Sequence, residues 1–281
     1  MWQAHQIETT RGPFQYFTKG IGEPIAVTHH YSEFNEKGNV FAEHFTKHFQ
    51  VFLINLRGTN QSASYVEDEQ LSFKQTIEDL EAIREALQLE KWAFGGHSAG
   101  GMLAQQYAIQ AEHALTFIVA GGTAASYEYG MVKECIYHHA HPLFARIKEI
   151  MDLLSKPETP VEERQALSYE WTLASFIEES NLQRLLKMPN SGKTVGPRLT
   201  YFREIEYPTM DFRPYLPSIT VPCWIYAGRF DTQCPVQFGE EIARLIPHAH
   251  LTIFERSNHF PFVEEEEQFA QALTNFLGQL K

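Results

Sequence analysis

The stretch from Lys91 to Gly101, KWAFGGHSAGG, constrains this chain more than any other. A short apolar run, Trp92 to Phe94, leads into two glycines, then His97, Ser98, Ala99 and two more glycines. A helix-like run, Met102 to Ile109, follows. Gly-x-Ser-x-Gly between a strand and a helix forces a very tight turn with the serine at its apex. Side chains two residues either side would collide, so Gly96 and Gly100 omit them, leaving His97 and Ala99 to flank Ser98. Chance alone supplies the bare pattern in roughly one chain in ten of this length. The rest of the chain decides what it means.

Alternation surrounds this turn. Residues 5–9 and 14–18 read as a hairpin about Arg11-Gly12-Pro13, and Ile25 to Thr28 as a third strand. The spacing of Val40, Phe41, Phe45 and Phe49 predicts a helix over 39–49. Val51 to Asn55 is a continuous apolar strand of the kind buried on both faces of a parallel sheet. Ser72-x-x-Gln75 opens a helix with a capping box and an apolar stripe, Ile77, Leu80, Ile83 and Leu87. Leu115 to Ala120 is another buried strand. The order from residue 25 predicts an α/β fold: a mostly parallel sheet, helices on both faces, and functional groups at the carboxyl ends of the strands.

Near residue 124 the rhythm breaks. From there to about 215 no strand is expected, only helical segments (131–138, 143–154, 161–171, 173–187) punctuated by Pro142, Pro157, Pro160, Pro189 and Pro197. We read 124–215 as a helical cap inserted into a core made of 1–123 and 216–281. Beyond it come strand 223–227, helix 235–246, strand 250–254 and a final helix 262–280. The acidic run Glu264 to Glu267 suits a solvated helix N-terminus.

A serine hydroxyl is a poor nucleophile until a base takes its proton and an acid orients that base. Asp231 lies just past strand 223–227 and His259 just past the last strand. Catalytic candidates are therefore Ser98, Asp231 and His259, in that chain order.

These features resemble an α/β-hydrolase along nearly the whole chain, on GGHSAGG, Gly228-Arg229-Phe230-Asp231 and Asn258-His259. Within that superfamily, Leu56-Arg57-Gly58-Thr59-Asn60-Gln61-Ser62 and GRFDTQCP resemble loops of proline iminopeptidase-like members. The resemblance implies a serine esterase or aminopeptidase with an oxyanion hole after the third strand. Many members carry His-Gly there, or His-Gly-Gly-Pro-Gly in the iminopeptidases, but this chain has His29-His30-Tyr31-Ser32. Matching residue by residue puts the two donor N–H groups at Tyr31 and Ala99. The iminopeptidases' Trp-x-x-Trp-Glu, whose glutamate binds a free amine, is replaced by Trp171-Thr172-Leu173-Ala174-Ser175; Glu170, Glu178 and Glu179 are the candidate substitutes. His30, Tyr127, Tyr129, Trp171 and Phe260 are expected around the substrate. Carbon–carbon bond hydrolysis, acyl transfer and a low-turnover sensor on the same fold stay open.

Composition narrows the partners. With 23 basic and 35 acidic side chains, a net charge of −12 argues against nucleic acid and anionic membranes. Three cysteines without metal spacing suit a reducing cytoplasm, and the start of the chain lacks a signal-peptide pattern. The cap stretch Tyr137-His138-His139, with His141, lacks convincing ligand spacing. No metal and no cofactor are expected, and the substrate is expected to be a small molecule or short peptide. Oligomeric state is not legible.

Overall fold

The computed structural model describes every residue except Pro157 and Lys281. Eight strands form its main sheet: β1 (Gln3–Thr9), β2 (Gly12–Lys19), β3 (Glu23–Val27), β4 (Phe49–Ile54), β5 (Trp92–His97), β6 (Leu115–Gly121), β7 (Cys223–Gly228) and β8 (Ala249–Phe254). Their spatial order is β1-β2-β4-β3-β5-β6-β7-β8. β2 pairs antiparallel with β1 and with β4, and every other pair is parallel. The α/β class with a mostly parallel sheet is what the sequence predicts.

The inner strands of the sheet are buried on both sides, as parallel pairing with helices on each face requires. In β4, Phe52 and Ile54 join one core layer and Val51 and Leu53 the other. The first layer packs against the helices Phe73–Ala86 and Ala99–Ala111. The second packs against Glu266–Gln279 through Phe269, Leu273 and Phe276. Burying each such side chain is worth about 1.5–3 kcal/mol. At Ser72 the hydroxyl accepts from the Gln75 N–H at 3.2 Å. The other half of that capping box is diverted, since Gln75 Oε1 accepts from Arg11 at 2.7 Å.

Several expected helices are shorter. Only Val40–Glu43 is helical in 39–49, capped by Asn39, because the next turns use i→i+3 bonds: Phe45 N to Ala42 O at 3.2 Å and His48 N to Phe45 O at 3.0 Å. No regular α-helix covers 131–138; a 3-10 turn, Tyr127–Met131, precedes irregular turns. Residues 173–187 divide at the loop 174–178 into the ends of helices Val161–Leu173 and Glu179–Lys187. The last helix is broken at Glu265 into Pro261–Glu264 and Glu266–Gln279. Two residues expected to be non-strand, Lys193–Thr194, pair antiparallel with Ser32–Glu33. Pro157 lies outside the described residues.

The segment 124–215 leaves and rejoins the sheet at one point. Ser126 bridges Asp211, the Tyr127 N–H donates to Met210 O at 2.8 Å, and the Phe212 N–H donates to Ala125 O at 2.7 Å. Its outer part has a small core of its own: Ile136, Ile147, Ile150 and Leu167, with Tyr137 and Trp171 packed against them. Among the described residues, no helix is long and apolar enough to cross a membrane.

Candidate active site

β5 is wholly buried and ends at His97, where the chain turns at once into the helix Ala99–Ala111. Ser98, between them, has φ 57° and ψ −122°. A non-glycine residue there stores about 1–3 kcal/mol of strain, which the surroundings must hold. They do so through the Ser98 N–H, donated to Gly121 O at 2.9 Å, and Ser98 O, which accepts from Gly101 and Met102. A Cβ at Gly96 would fall 1.9 Å from Gly100 O, and one at Gly100 would fall 2.6 Å from Thr28 O. The Ser98 hydroxyl has no hydrogen-bond partner among the described residues.

His259 and Asp231 are brought together from the ends of β8 and β7. Both are buried, at 2% and 4% exposure, and His259 Nδ1 lies 2.8 Å from Asp231 Oδ2. A carboxylate there accepts, so Nδ1 is the donor, and in the neutral ring Nε2 is left with its lone pair. The other carboxylate oxygen accepts from the N–H groups of Gln233 and Cys234, each at 2.8 Å. The link to Ser98 is one of proximity. Ser98 is bonded to Gly121, and the next residue, Gly122, would carry a Cβ 3.2 Å from His259 Cε1. The His97 ring lies 4.6 Å from the His259 ring and holds Tyr226 OH at 3.0 Å through Nδ1.

Two glutamates expected in solvent hold the histidine loop instead. Glu265, 8% exposed, accepts from the Arg256 N–H at 2.8 Å and the Ser257 hydroxyl at 2.7 Å. Glu264 accepts from the N–H groups of Asn258 and Ile177, both at 2.8 Å, and burial raises its pKa. The segment around 174–175 closes the other side. Ala174 O accepts from Thr232 Oγ1 at 2.9 Å and Asn258 Nδ2 at 3.2 Å, and Ser175 O accepts from the His259 N–H at 3.1 Å.

After β3 the chain passes Thr28, His29, His30 and Tyr31 in a turn that abuts the elbow. Among the described residues the N–H groups of Tyr31 and Ala99 have no partner within the protein. His30 does not line a pocket. Its side chain is fully buried, stacked 4.1 Å from the Phe73 ring, with Nε2 2.9 Å from Glu206 Oε2. Burial keeps its imidazole below the ordinary histidine range despite that carboxylate.

The other expected pocket residues are spread around the site. Phe260 meets the His259 ring at 5.2 Å and stacks on Phe176 at 4.8 Å. Tyr129 is buried against Tyr207 at 5.2 Å, while half-buried Tyr127 contributes a carbonyl to Tyr207 OH at 3.0 Å. Trp171 packs with the outer cluster. The sequence reading missed Phe202 and Tyr207, which join Tyr31 and Tyr129 in one aromatic wall. Burial raises the pKa of both the Tyr31 and the Tyr129 phenol, which stay neutral. Cys234 sits among them as a buried thiol, and burial pushes its pKa well up.

The candidate amine-binding glutamates are elsewhere engaged. Glu170 is bound by Nε and Nη2 of Arg146 at 2.7 and 2.6 Å, Glu179 by Tyr169 OH at 2.6 Å, and Glu178 by Ser180 at 3.2 Å. All three are exposed. Among the described residues, no group of three or more His, Cys, Asp or Glu side chains is placed to hold a metal ion.

Comparison with known proteins gives a consistent picture. Residues 20–133 match a family model described as alpha/beta hydrolase fold. The chain is similar to the solved structure of an alpha/beta fold family hydrolase from Bacillus anthracis, with 52% identity, 98% of this chain and 99% of that one covered, and a TM-score of 0.97. It is 23% identical to a pimeloyl-(acyl-carrier protein) methyl ester esterase of Vibrio vulnificus over 93% of this chain and 97% of the relative. It is 28% identical to a proline iminopeptidase of Saccharolobus solfataricus over 73% and 68% respectively.

Proposed function

The chain belongs to the α/β-hydrolase family, and within it we propose a serine esterase that cleaves a small carboxylic ester through an acyl-enzyme. The observation that carries this reading is the buried His259–Asp231 pair beside a serine on a strained elbow. His259 Nε2, free of its proton, takes the Ser98 proton as Oγ attacks the carbonyl carbon. The tetrahedral oxyanion is held by the N–H groups of Tyr31 and Ala99, a pair of donors of which each is worth about 2.7–4 kcal/mol in the barrier. Collapse expels the alcohol with the proton from His259. Water then gives its proton to His259 and attacks the acyl carbon, releasing the acid and restoring Ser98.

Ester rather than aminopeptide is favoured by the carboxylates. An aminopeptidase needs an acid for the substrate's free amine, and Glu170, Glu178, Glu179, Glu206, Glu264 and Glu265 are each engaged with protein donors. The phenols of Tyr31 and Tyr129, whose pKa burial raises, are neutral donors that suit a neutral oxygen on the substrate. Residues 124–215 act as the cap that shapes this wall.

Labelling with a fluorophosphonate probe tests the nucleophile: wild type is expected to label and Ser98→Ala is not. Equal labelling of the two overturns the assignment. A panel of p-nitrophenyl esters against aminoacyl-naphthylamides tests the substrate class, and faster turnover of the amides overturns the esterase reading.

A further inference from the structure

We propose that Arg198 and Glu206, both from the 124–215 segment, are positioning residues that set the oxyanion hole by gripping the back of the His30–Tyr31 peptide. The proposal rests on the esterase reading above.

Arg198 is an unusual buried cation. Its side chain is fully buried, yet no carboxylate lies in direct contact with it among the described residues. Its donors go to neutral acceptors on three parts of the core: His30 O after β3, Arg57 O after β4 at 2.9 Å, and Thr76 Oγ1 at 2.8 Å on the helix Phe73–Ala86. Burying a guanidinium without a paired charge is costly, and that cost draws its pKa down to about 10. What it secures is geometry.

The His30 carbonyl and the Tyr31 N–H belong to one peptide unit, which is planar and trans, so the two groups point in opposite directions. Fixing the carbonyl from behind therefore aims the N–H. A cation on the carbonyl also polarises the unit and strengthens the N–H as a donor. A second bond works alongside: Val195 N–H donates to Tyr31 O at 2.9 Å, continuing the short ladder between Ser32–Glu33 and Lys193–Thr194.

Glu206 completes the hold through His30, which stands where the His-Gly motif of the resembled family has glycine. Arg198 Nη2, a donor, faces His30 Nδ1 at 3.4 Å, so the imidazole proton sits on Nε2 and is donated to Glu206 Oε2. The other Glu206 oxygen accepts from the Phe73 N–H at 2.6 Å, an orphan donor at the first helical residue. A carboxylate accepts both bonds at once. A glutamine accepts only one, whichever way its amide is turned.

The experiment measures kcat and KM with p-nitrophenyl acetate, and inhibition by a trifluoromethyl ketone, whose hemiketal with a serine carries the oxyanion. The proteins are wild type, Arg198→Met, Arg198→Lys and Glu206→Gln, each checked for a native circular-dichroism spectrum. Arg198→Met is expected to lower kcat about 10²-fold with KM within about threefold, and to weaken the ketone by the same factor. Arg198→Lys and Glu206→Gln are expected to fall between, each about tenfold down. If Arg198→Met does not fold, those two milder variants decide. Folded variants whose kcat and ketone affinity stay within threefold of wild type overturn the proposal, as does a loss confined to KM. A wild type without turnover overturns the esterase reading and the proposal with it, so the two failures are told apart.

Discussion

Gly100→Ala sets two physical effects against each other. Gly100 is the second residue of the helix Ala99–Ala111, and alanine is the better helix former by about 1 kcal/mol, so propensity alone predicts a gain. The space around it predicts the opposite. An added Cβ would lie 2.6 Å from Thr28 O and 3.4 Å from His29 Cα, and ordinary contact begins near 3.4 Å. The carbonyl would have to recede by about 0.8 Å. Thr28 cannot easily yield, because it is buried and its hydroxyl is bound to Ile54 O at 2.8 Å. The displacement passes on to residues 29–31, where the Tyr31 N–H is proposed to meet the oxyanion. A misplacement of about 1 Å costs on the order of 10²-fold in rate, or about 2.7 kcal/mol. The expected outcome is kcat for p-nitrophenyl acetate down about 100-fold, with a melting temperature at or below that of wild type. If kcat stays within threefold and the melting temperature rises, the turn is not braced against the elbow and the reasoning fails.

Acid should destabilise the fold early. Burial holds His30 and His97 neutral, with pKa below the ordinary value, so beneath about pH 6.5 the unfolded chain takes up protons that the native one refuses. Stability is full above pH 6.5 and falls by about 1.4 kcal/mol per pH unit for each such histidine as pH drops; urea midpoints flat from pH 7 to 5 would contradict this. Asp79, 1% exposed, is bracketed by Arg57 at 2.7 and 2.8 Å and Arg11 at 2.6 Å. Asp79→Asn should cost about 3–5 kcal/mol in urea unfolding, and a loss under 1 kcal/mol would show that the cluster is dispensable. Glu265→Ala removes the oxygen that accepts from both the Arg256 N–H and the Ser257 hydroxyl and should cost about 1–3 kcal/mol. It should also lower kcat more than it raises KM; unchanged kcat in the folded variant would detach the loop from turnover.

What the sequence made legible is what local physics dictates. Val51 to Ile54 reads as a strand buried on both faces because both core layers need its side chains. The glycines about Ser98 read as a tight turn because of collisions within a few residues. Illegible were the pairings across long separations. Arg57 is conspicuous in its loop, but its partner Asp79 lies 22 residues on, at a helix position that looks solvated. His30 in place of glycine is visible, whereas the reason for it, Glu206, lies 176 residues away. Glu264 and Glu265 were read as a solvated helix start, since nothing local says that two loop N–H groups and a hydroxyl fold back onto them. The helix expected at 131–138 fails for a related reason. Ile136 N–H is taken by Thr232 O of the acid loop at 2.8 Å, while Cys135 and His138 close only i→i+3 turns, to Val132 O at 3.0 Å and Cys135 O at 2.9 Å.

The neck between Ala125–Tyr127 and Met210–Phe212 carries a consequence for inheritance. Because the chain leaves and returns through hydrogen-bonded neighbours, with Arg213 joined to Glu128 and Asp211 at 2.8 Å beside them, both ends stay fixed whatever lies between. Closing so long a loop costs only slowly more as it grows. Changes of length between Tyr127 and Met210 are therefore cheap at the neck, provided the residues that reach back to the core, Lys193–Thr194, Arg198 and Glu206 among them, are kept. A graft without counterparts of Ala174, Ser175, Arg198 and Glu206 would carry over the shape of a new pocket without its footing.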